Sequence, residues 1–245
     1  VLGAGKIGGA IVDLLHATGD YRITLADSDA AFLAQAAQQG AAGEKAVAKV
    51  VDVSDRKALA DLLKGKHAAL SALPFFLNPA VAEACGAAGV HYFDLTEDVE
   101  TTRAVRRVAE KSSVAFVPQC GLAPGFISIV AHHLAKKFDS LRTLQMRVGA
   151  LPQFPANALK YNLTWSTDGL INEYCNPCEA IHDGRMVEMM PMEGLEHFSL
   201  DGIDYECFNT SGGLGTLCET LEGKVENLNY KTVRYPGHCA VMKML

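Results

Sequence analysis

The chain opens with Val1-Leu2-Gly3-Ala4-Gly5-Lys6-Ile7-Gly8, and this stretch decides the fold. It matches the pattern GxGxxG with all three glycines, and it joins an apolar segment to an amphipathic one. In such a loop the first glycine permits a tight turn, the second lets the backbone approach a pyrophosphate, and the third lets the helix pack closely on the strand. The helix N-terminus adds N–H groups and the positive end of a dipole. We therefore predict a dinucleotide-binding loop with contacts from Gly3, Gly5, Lys6, Ile7 and Gly8.

The residues that follow alternate short β-branched runs with Ala-rich amphipathic segments, which is typical of a parallel sheet wound by helices. The predicted strands are Val1–Leu2, Ile23–Ala26, Val47–Val51, Ala68–Leu73, Tyr92–Leu95 and Val114–Pro118. The predicted helices cover residues 7–18, 29–39, 55–64, 78–88, 99–111 and 125–138. This pattern predicts an α/β, doubly wound (Rossmann) domain.

Beyond Phe138 the sequence contains less Ala and more Pro, Gly, Met and aromatic residues, and the regular alternation stops. The predicted elements are strands Leu144–Val148 and Leu159–Trp165, a helix Asp168–Tyr174, and hairpins Ala180–Met190 and Phe198–Phe208, which turn at Asp183-Gly184 and Asp201-Gly202. We predict a second, α+β domain built on a mostly antiparallel sheet.

Composition limits the classes of protein to which the chain can belong. Its 245 residues are 49% hydrophobic and carry a formal net charge of −6, the balance of a globular protein. The absence of a basic run argues against binding of nucleic acid or anionic lipid. No apolar stretch approaches the ~18 residues of a membrane span, and the start lacks the basic flank of a signal peptide. We expect a cytoplasmic protein with neither nucleic acid nor membrane as a partner.

The seven cysteines are odd in number and scattered, which favours free thiols over a disulfide framework. The single CxxC, Cys175-Asn176-Pro177-Cys178, has no second Cys or His pair at the spacing of a structural zinc site. Two incidental small apolar side chains are therefore favoured over a zinc or redox site, and we expect no metal.

Asp27 ends the second predicted strand, where an acidic residue can accept hydrogen bonds from the ribose hydroxyls of the adenosine. A 2′-phosphate at ~4 Å from this carboxylate would be disfavoured by about 4 kcal/mol per unit charge at an effective dielectric of ~20. We therefore expect NAD rather than NADP as the cofactor. The alternative is that Asp27 only caps the helix that begins near Asp29.

Other loops follow the predicted strands, and ligands of such folds bind at the carboxyl ends of strands. The further candidates for cofactor contact are Asp52, Val53, Ala72, Leu73, Pro74 and Thr96. The alternative is ordinary helix punctuation, because Ser54 is suited to an N-cap and Pro74 to ending a strand.

Longer motifs are similar to one family. They are VLGAGKIG at 1–8, SALPFFLNPAVAEACGAAGVHYFDLTED at 71–98, GLAPGF at 121–126, YNLTWS at 161–166 and RYPGH at 234–238. On this combination the chain resembles the saccharopine dehydrogenase family, and within it the lysine 6-dehydrogenase-like members. Two positions depart from the pattern: Cys120 stands where many members have an acidic or small residue, and Asn162 where a Lys is often found.

The resemblance implies NAD(P)-dependent oxidation of an amino-acid amine. It also implies that residues 1–139 plus 233–245 form the dinucleotide-binding domain and residues 140–232 a substrate and dimerisation domain, so a homodimer is expected. On that model RYPGH opens a helix, Cys239–Leu245, which packs on the dinucleotide-binding domain.

Two titratable residues of the matched motifs are candidate catalytic residues. Hydride transfer from a C–N bond requires a neutral amine, and a lysine ε-amine has a free pKa of about 10.4, so binding must remove its proton. Asp94, at the carboxyl end of a strand, is suited to attract the ammonium, and His238 titrates near neutrality. The alternative for His238 is that it only caps or supports the last helix.

Three further residues are candidates for substrate binding. Arg234 can clamp an α-carboxylate with its planar fork, with a surface salt bridge as the alternative. Tyr161 and Trp165 lie on one face of a predicted strand and can wall a slot for methylene groups, although core packing is the commoner role of such a pair.

Three functions are consistent with these residues. The first is an NAD-dependent amine dehydrogenase, L-lysine 6-dehydrogenase foremost. The second is saccharopine dehydrogenase, whose larger substrate calls for more basic residues than the second domain offers. The third is a non-catalytic NAD-sensing module, which leaves RYPGH without a purpose.

Only Val1 and Leu2 precede the first glycine, there is no initiating Met, and the last predicted helix is short. We expect the native protein to be longer at both ends, with its further C-terminal part completing the dinucleotide-binding domain.

Overall fold

The computed structural model describes residues 1–38 and 45–245. The chain forms two compact units, Val1–Cys120 and Gly121–Leu245, called unit 1 and unit 2 below.

Unit 1 alternates strands and helices, as predicted. Its strands are β1 (Ile23–Asp27), β2 (Ala46–Val50), β3 (Ala68–Ser71), β4 (His91–Asp94) and β5 (Phe116–Val117). Its helices are α1 (Lys6–Thr18), α2 (Ala30–Gln38), α3 (Arg56–Leu63), α4 (Asn78–Ala88) and α5 (Val99–Ala109), with a 3₁₀ turn at Phe75–Leu77. The predicted helix 29–39 corresponds to α2, and its residue 39 lies outside the described residues.

Leu2 connects the two parts of the parallel sheet. It forms parallel bridges to Ala26 of β1 and to Ser71 of β3, so that the order across the sheet is β2, β1, Leu2, β3, β4, β5. The predicted first strand is thus a single bridged residue. The sheet extends from Leu2 in both directions, so the glycine loop that follows lies at the topological switch point of a doubly wound fold.

Unit 2 is built on a six-stranded sheet. Its strands are β6 (Leu141–Val148), β7 (Cys178–His182), β8 (Arg185–Met189), β9 (Glu196–Leu200), β10 (Ile203–Asn209) and β11 (Val225–Arg234). Its helices are α6 (Phe126–Ala135), α7 (Thr167–Cys175), α8 (Leu217–Leu221) and α9 (His238–Met242). The order is β8-β7-β11-β10-β9, all antiparallel, with β6 added in parallel to β11. The prediction of a mostly antiparallel α+β domain is confirmed.

Both hairpins turn where the sequence predicts. Asp183 and Gly184 have φ of 49° and 78°, and Asp201 and Gly202 have φ of 52° and 77°. Positive φ at both central residues characterises the two-residue turn that matches strand twist. The dipeptide Asp-Gly therefore fixes the register of β7 with β8 and of β9 with β10.

The predicted strand Leu159–Trp165 is wrong, because these residues form no strand. The Asn157 side chain donates to the carbonyl of Tyr161 at 2.8 Å and accepts from its N–H at 3.3 Å. Lys160 also has a left-handed φ of 51°. Local bonds between a side chain and the backbone compete with sheet pairing, and here they replace it.

The boundary between the units differs from the expected domain limits. Residues 121–139 and 233–245, assigned above to the dinucleotide-binding domain, belong to unit 2. The closing helix α9 contributes its buried Cys239 to an apolar cluster with Tyr174 and Phe208 of unit 2. Through Cys239, α9 packs against unit 2.

Candidate functional site: a glycine loop and a buried arginine

Gly3 and Gly8 are sterically required in the glycine loop of unit 1, as their spacing predicts. Gly3 has φ of +97°, and a Cβ there would lie 2.7 Å from the carbonyl oxygen of Ala72. A Cβ on Gly8 would lie 1.8 Å from the carbonyl oxygen of Gly3. At Gly5, which caps α1 without a side-chain hydrogen bond, a Cβ would have no atom within 4 Å. The loop therefore leaves open space beside the first turn of α1, which fits a pyrophosphate.

Asp27 is tied to this loop. Its carboxylate accepts the N–H of Ala4 at 2.7 Å with one oxygen and the N–H of Asp29 at 2.8 Å with the other. The start of α2 is instead capped by Asp29, which accepts the N–H of Ala31 at 2.7 Å. The cap-only alternative for Asp27 is therefore wrong, while ribose contact stays a prediction.

The next loop is shaped by Asp52, whose Oδ1 accepts the hydroxyl of Ser54 at 2.7 Å and its N–H at 2.8 Å. These hydrogen bonds lower the pKa of the exposed Asp52 carboxyl. Ser54 is not the cap of α3, because Asp55 accepts the N–H groups of the first turn. Val53 is buried in the core, so its side chain packs against protein. Adenine contact by Asp52 and Val53 stays a prediction.

The loop after β3 passes directly beside the glycine loop. Ala72 donates its N–H to the carbonyl of Leu2 at 2.8 Å. Strand β3 ends at Ser71, earlier than predicted, and Pro74 begins the 3₁₀ turn that follows. This loop is thus close to the glycine loop, and contact of Ala72, Leu73 and Pro74 with a cofactor stays a prediction.

Asp94 is fully buried at the end of β4. The Tyr92 hydroxyl donates to its Oδ2 at 2.7 Å, and the N–H groups of Thr96 and Gln119 donate to its Oδ1 at 2.9 and 3.1 Å. Burial raises the pKa of Asp94, and these hydrogen bonds oppose the rise. The geometry favours a role in shaping the loop around the buried Thr96, whereas contact of Asp94 with a substrate ammonium stays a prediction.

Unit 2 contains a buried arginine, Arg234, at the end of β11. Its side chain is 4% exposed, its Nε donates to the Tyr174 hydroxyl at 3.0 Å, and Nη1 donates to the carbonyl of Val233 at 2.9 Å. The guanidinium carbon lies 4.3 Å from the ring centroid of Tyr161, a cation–π distance. Among the described residues no carboxylate pairs with Arg234, and the two hydrogen bonds above use two of its five N–H donors.

His238 continues this hydrogen-bond network. Its Nδ1 lies 2.7 Å from the carbonyl oxygen of Leu159, so Nδ1 carries the proton and Nε2 accepts from the Tyr174 hydroxyl at 3.1 Å. Burial, reinforced by the charge of Arg234, lowers the pKa of His238, and the bond to Leu159 opposes this. With the proton on Nδ1 the imidazole is neutral, and a catalytic role for His238 stays a prediction.

Tyr161 and Trp165 meet despite the absence of a strand. The Trp165 Nε1 donates to the Tyr161 hydroxyl at 3.1 Å, and the Tyr161 ring contacts both Arg234 and His238. The predicted pair is thus brought to the same cluster as Arg234 and His238.

Sequence reasoning missed two members of the cluster, Tyr174 and Glu206. Glu206 is 2% exposed, lies opposite Arg234 in the sheet, and accepts the N–H groups of Gly237 and Cys239 at 2.7 and 2.6 Å. Although the two residues are opposite each other in the sheet, no ion pair joins Glu206 to Arg234. No local sequence pattern marks either residue, because Tyr174 binds Arg234 and Glu206 binds Gly237, both of which are distant in the sequence.

A doubly wound sheet with this glycine loop defines a dinucleotide-binding fold. Residues 1–117 match the model of the saccharopine dehydrogenase NADP binding domain, and residues 121–245 match that of the saccharopine dehydrogenase C-terminal domain. The chain belongs to the saccharopine dehydrogenase family of oxidoreductases, and the resemblance inferred from the motifs is confirmed.

Relatives of this chain are distant in sequence. An alpha-aminoadipic semialdehyde synthase, mitochondrial, from Rattus norvegicus is 23% identical over 97% of this chain and 27% of its own length. The saccharopine dehydrogenase [NADP(+), L-glutamate-forming] of Saccharomyces cerevisiae is 23% identical over 100% of this chain and 56% of its own length. The structure of the apo yeast enzyme matches with a TM-score of 0.78 at 22% identity, over 97% of this chain and 55% of that chain. The chain thus spans about half of the yeast enzyme, whose structure confirms the fold.

Three further observations concern membrane spans, metal ligands and thiols. No helix within residues 1–38 and 45–245 is long and apolar enough to cross a bilayer. Within the same described residues, no three His, Cys, Asp or Glu side chains gather as metal ligands. All seven cysteines are free, with Cys175 exposed and Cys178 buried.

Proposed function

We propose that this chain is an NAD-dependent oxidoreductase that oxidises the amine of an amino acid, with L-lysine and saccharopine as the two candidate substrates. The observation that carries the proposal is the buried guanidinium of Arg234, which no carboxylate of the described residues neutralises. The scarcity of basic residues in unit 2 favours lysine, and the names of the relatives favour saccharopine.

Arg234 binds the α-carboxylate of the substrate. A buried charge is unfavourable unless it is paired, and a carboxylate forms two parallel hydrogen bonds with a guanidinium. The Tyr174 hydroxyl and the Val233 carbonyl fix the plane of the guanidinium, which leaves one N–H of Nη1 and both N–H groups of Nη2 for the ligand. An α-carboxylate is common to both candidate substrates.

The amine of the substrate must lose its proton before it is oxidised. The residues around Arg234 favour this loss of a proton. The positive charge of Arg234 lowers the pKa of a neighbouring ammonium. The neutral His238 accepts a proton at Nε2, to which the Tyr174 hydroxyl already donates. A bound nicotinamide cofactor would supply the acceptor for the hydride.

Asp27 gives the preference for NAD. Its carboxylate lies beside the glycine loop, where it accepts the ribose hydroxyls and repels a 2′-phosphate. The name of the matched family model and the yeast relative point to NADP, so the choice of cofactor is a direct test.

We expect Asp27→Ala to weaken NAD binding and to narrow the preference of NAD over NADP by at least about tenfold, because the repulsion of the 2′-phosphate is removed. Fluorescence titration with the two reduced cofactors measures the ratio of their dissociation constants. Asp13→Ala, at an exposed site of α1, is the matched control. An unchanged ratio in Asp27→Ala would show that Asp27 does not select the cofactor.

Reduction of NAD in the presence of L-lysine, saccharopine or L-ornithine tests the activity itself. Turnover of one amino acid supports the proposal. Tight NAD binding with no turnover of any would contradict it. We also propose that the protein is cytoplasmic, which cell fractionation tests. We propose that it is a homodimer, which light scattering tests.

A further inference from the structure

We propose that the exposed apolar face of α6 binds a second copy of this chain about a two-fold axis. This inference rests on the homodimer of the proposed function, and it names the interface. It places that interface on α6, outside residues 140–232, to which the resemblance to the family assigns dimerisation.

Helix α6 is apolar on both of its sides. Between Phe126 and Ala135 it contains no Asp, Glu, Lys or Arg. Its inner side packs on the sheet of unit 2 through the small Ala131 and through Ile127, in the core cluster that includes Leu228. A helix that is hydrophobic all round is typical of a buried position, so the outer side of α6 calls for a partner surface.

The outer side of α6 carries the larger apolar residues, which is the reverse of an ordinary surface helix. These residues, called the α6 face below, are between 37% and 70% exposed: Leu122, Phe126, Ile129, Val130, Leu134 and Phe138. All of them except Ile129 follow one another at intervals of four residues, the spacing of a single ridge along a helix.

The two ends of this ridge are attached to α6 by backbone hydrogen bonds. The carbonyl of Leu122 accepts the N–H of Ile127 at 3.0 Å. The N–H of Phe138 donates to the carbonyl of Ala135 at 3.2 Å. The α6 face is therefore continuous along the whole helix.

The size of the α6 face fits a protein partner. At about 200 Å² for a large apolar residue in full exposure, its members leave roughly 700 Å² open to solvent. The largest apolar patch of a typical monomer is about 300–600 Å², and each partner of a stable complex buries about 800 Å². Helix α7, by contrast, has one large exposed apolar side chain, Ile171, and a single one is normal on a surface.

The chemistry of the α6 face fits a second copy. A face without charged side chains selects an apolar partner surface, and the same face on another copy is such a surface. The middle of the face lies at Ile129 and Val130, so a two-fold axis there pairs the ridge with itself and brings no like charges together. Ridges with this spacing interdigitate when two helices cross at about −50°, the commonest class of helix packing.

Sedimentation velocity over a range of protein concentrations tests the interface. We expect the wild-type chain to dimerise and Ile129→Glu to raise the dissociation constant of the dimer by at least about a hundredfold, because two unpaired carboxylates would be buried at the axis. Ile129 is 70% exposed in the single chain, so the variant should fold, which circular dichroism checks. The matched control is Leu14→Glu on α1, where the side chain is 72% exposed, and it should dimerise as the wild type does.

A mixture of two variants tests the two-fold axis. Ile129→Lys should weaken the dimer as Ile129→Glu does. An equimolar mixture of the two should associate at least about tenfold more tightly than either alone, because opposite charges then meet at the axis. If a charged variant does not fold, Ile129→Ala provides the measurement, with a dissociation constant raised by about tenfold.

A monomeric wild-type chain, or a dimer whose affinity is unchanged by substitution of Ile129, would overturn the inference. A mixture that associates no more tightly than its components would also overturn it. These results are separable from the proposed function. A dimer that is insensitive to Ile129 keeps the homodimer with another interface, and a monomer that reduces NAD with an amino acid keeps the proposed activity.

Discussion

Arg234 and Glu206 face each other across β10 and β11, yet they do not form an ion pair. Glu206 is bound by the N–H groups of Gly237 and Cys239, and Arg234 by the Tyr174 hydroxyl and a carbonyl. Both charges are buried, and burial without an opposite charge is unfavourable for a guanidinium. At the scale of single residues, this arrangement leaves the buried charge of Arg234 without a carboxylate among the described residues, which is the basis for proposing that it binds an anionic substrate group.

His238 makes the stability of unit 2 depend on pH. Its pKa in the folded chain is below the ordinary value of about 6.5, so the unfolded chain binds the extra proton more readily. The free energy of unfolding should therefore fall as the pH is lowered through about 6.5, and it should level off above that value. An NMR titration of the His238 ring in the wild-type chain measures the pKa directly.

Urea unfolding at about pH 7.5 and about pH 5.5 provides the second measurement. The free energy of unfolding of the wild type should be lower at the lower pH. In His238→Asn this difference between the two pH values should be smaller, whereas in His133→Asn, at an exposed site, it should equal that of the wild type. A folded-state pKa at or above about 6.5 would contradict the assignment of His238 as a buried neutral base.

At the scale of elements, substitution of Gly5 and of Gly8 at the start of α1 should have different effects on stability and on NAD affinity. Gly5→Ala adds a methyl group into open space, so the melting temperature should stay unchanged while NAD affinity falls by at least about tenfold. Gly8→Ala places its methyl group on the carbonyl of Gly3 and should destabilise unit 1. Calorimetric melting and NAD titration of both variants measure these effects. Unchanged NAD affinity in Gly5→Ala would remove the glycine loop from the cofactor site.

The first turn of α9 depends on Glu206. In Glu206→Gln the amide nitrogen cannot accept an N–H, so one buried donor of the turn loses its partner, at a cost of about 2 kcal/mol in the free energy of unfolding. The exposed Glu188→Gln on β8 is the control and should change stability by less than about 0.5 kcal/mol. Equal stability of the two variants, measured by urea unfolding, would show that Glu206 does not hold α9.

Some elements of secondary structure were predictable from their sequence, and others were not. Asp-Gly turns fixed two hairpins, because only a few residue types tolerate positive φ at both central positions. The segment 159–165 alternates like a strand, but the side chain of Asn157 occupies its backbone groups. Tyr174 and Glu206 escaped prediction because their partners are distant in sequence, and a local pattern carries no signal for such contacts.

At the scale of the whole molecule, the family models divide the chain after residue 117, close to the boundary between units 1 and 2. The change in amino-acid composition predicted a domain boundary near Phe138, later than the observed one. The reason is that α6 has the same apolar, helical pattern as the preceding elements. The glycine loop and the RYPGH motif were both predictable, because each is a short segment with its own chemistry. The network that fixes Arg234 depends on strand pairing and emerges only in the folded chain.

The most direct test of the central claim is the initial rate of NAD reduction with saccharopine and with L-lysine, in the wild-type chain and in Arg234→Met. We predict turnover of at least one of them by the wild type, and a KM for that amino acid raised by about a hundredfold in Arg234→Met, as expected for loss of a buried, charge-assisted contact. The dissociation constant of NAD should stay the same, and the exposed Arg142→Met should behave as the wild type. No turnover of either amino acid by the wild type, or an unchanged KM in Arg234→Met, would contradict the account.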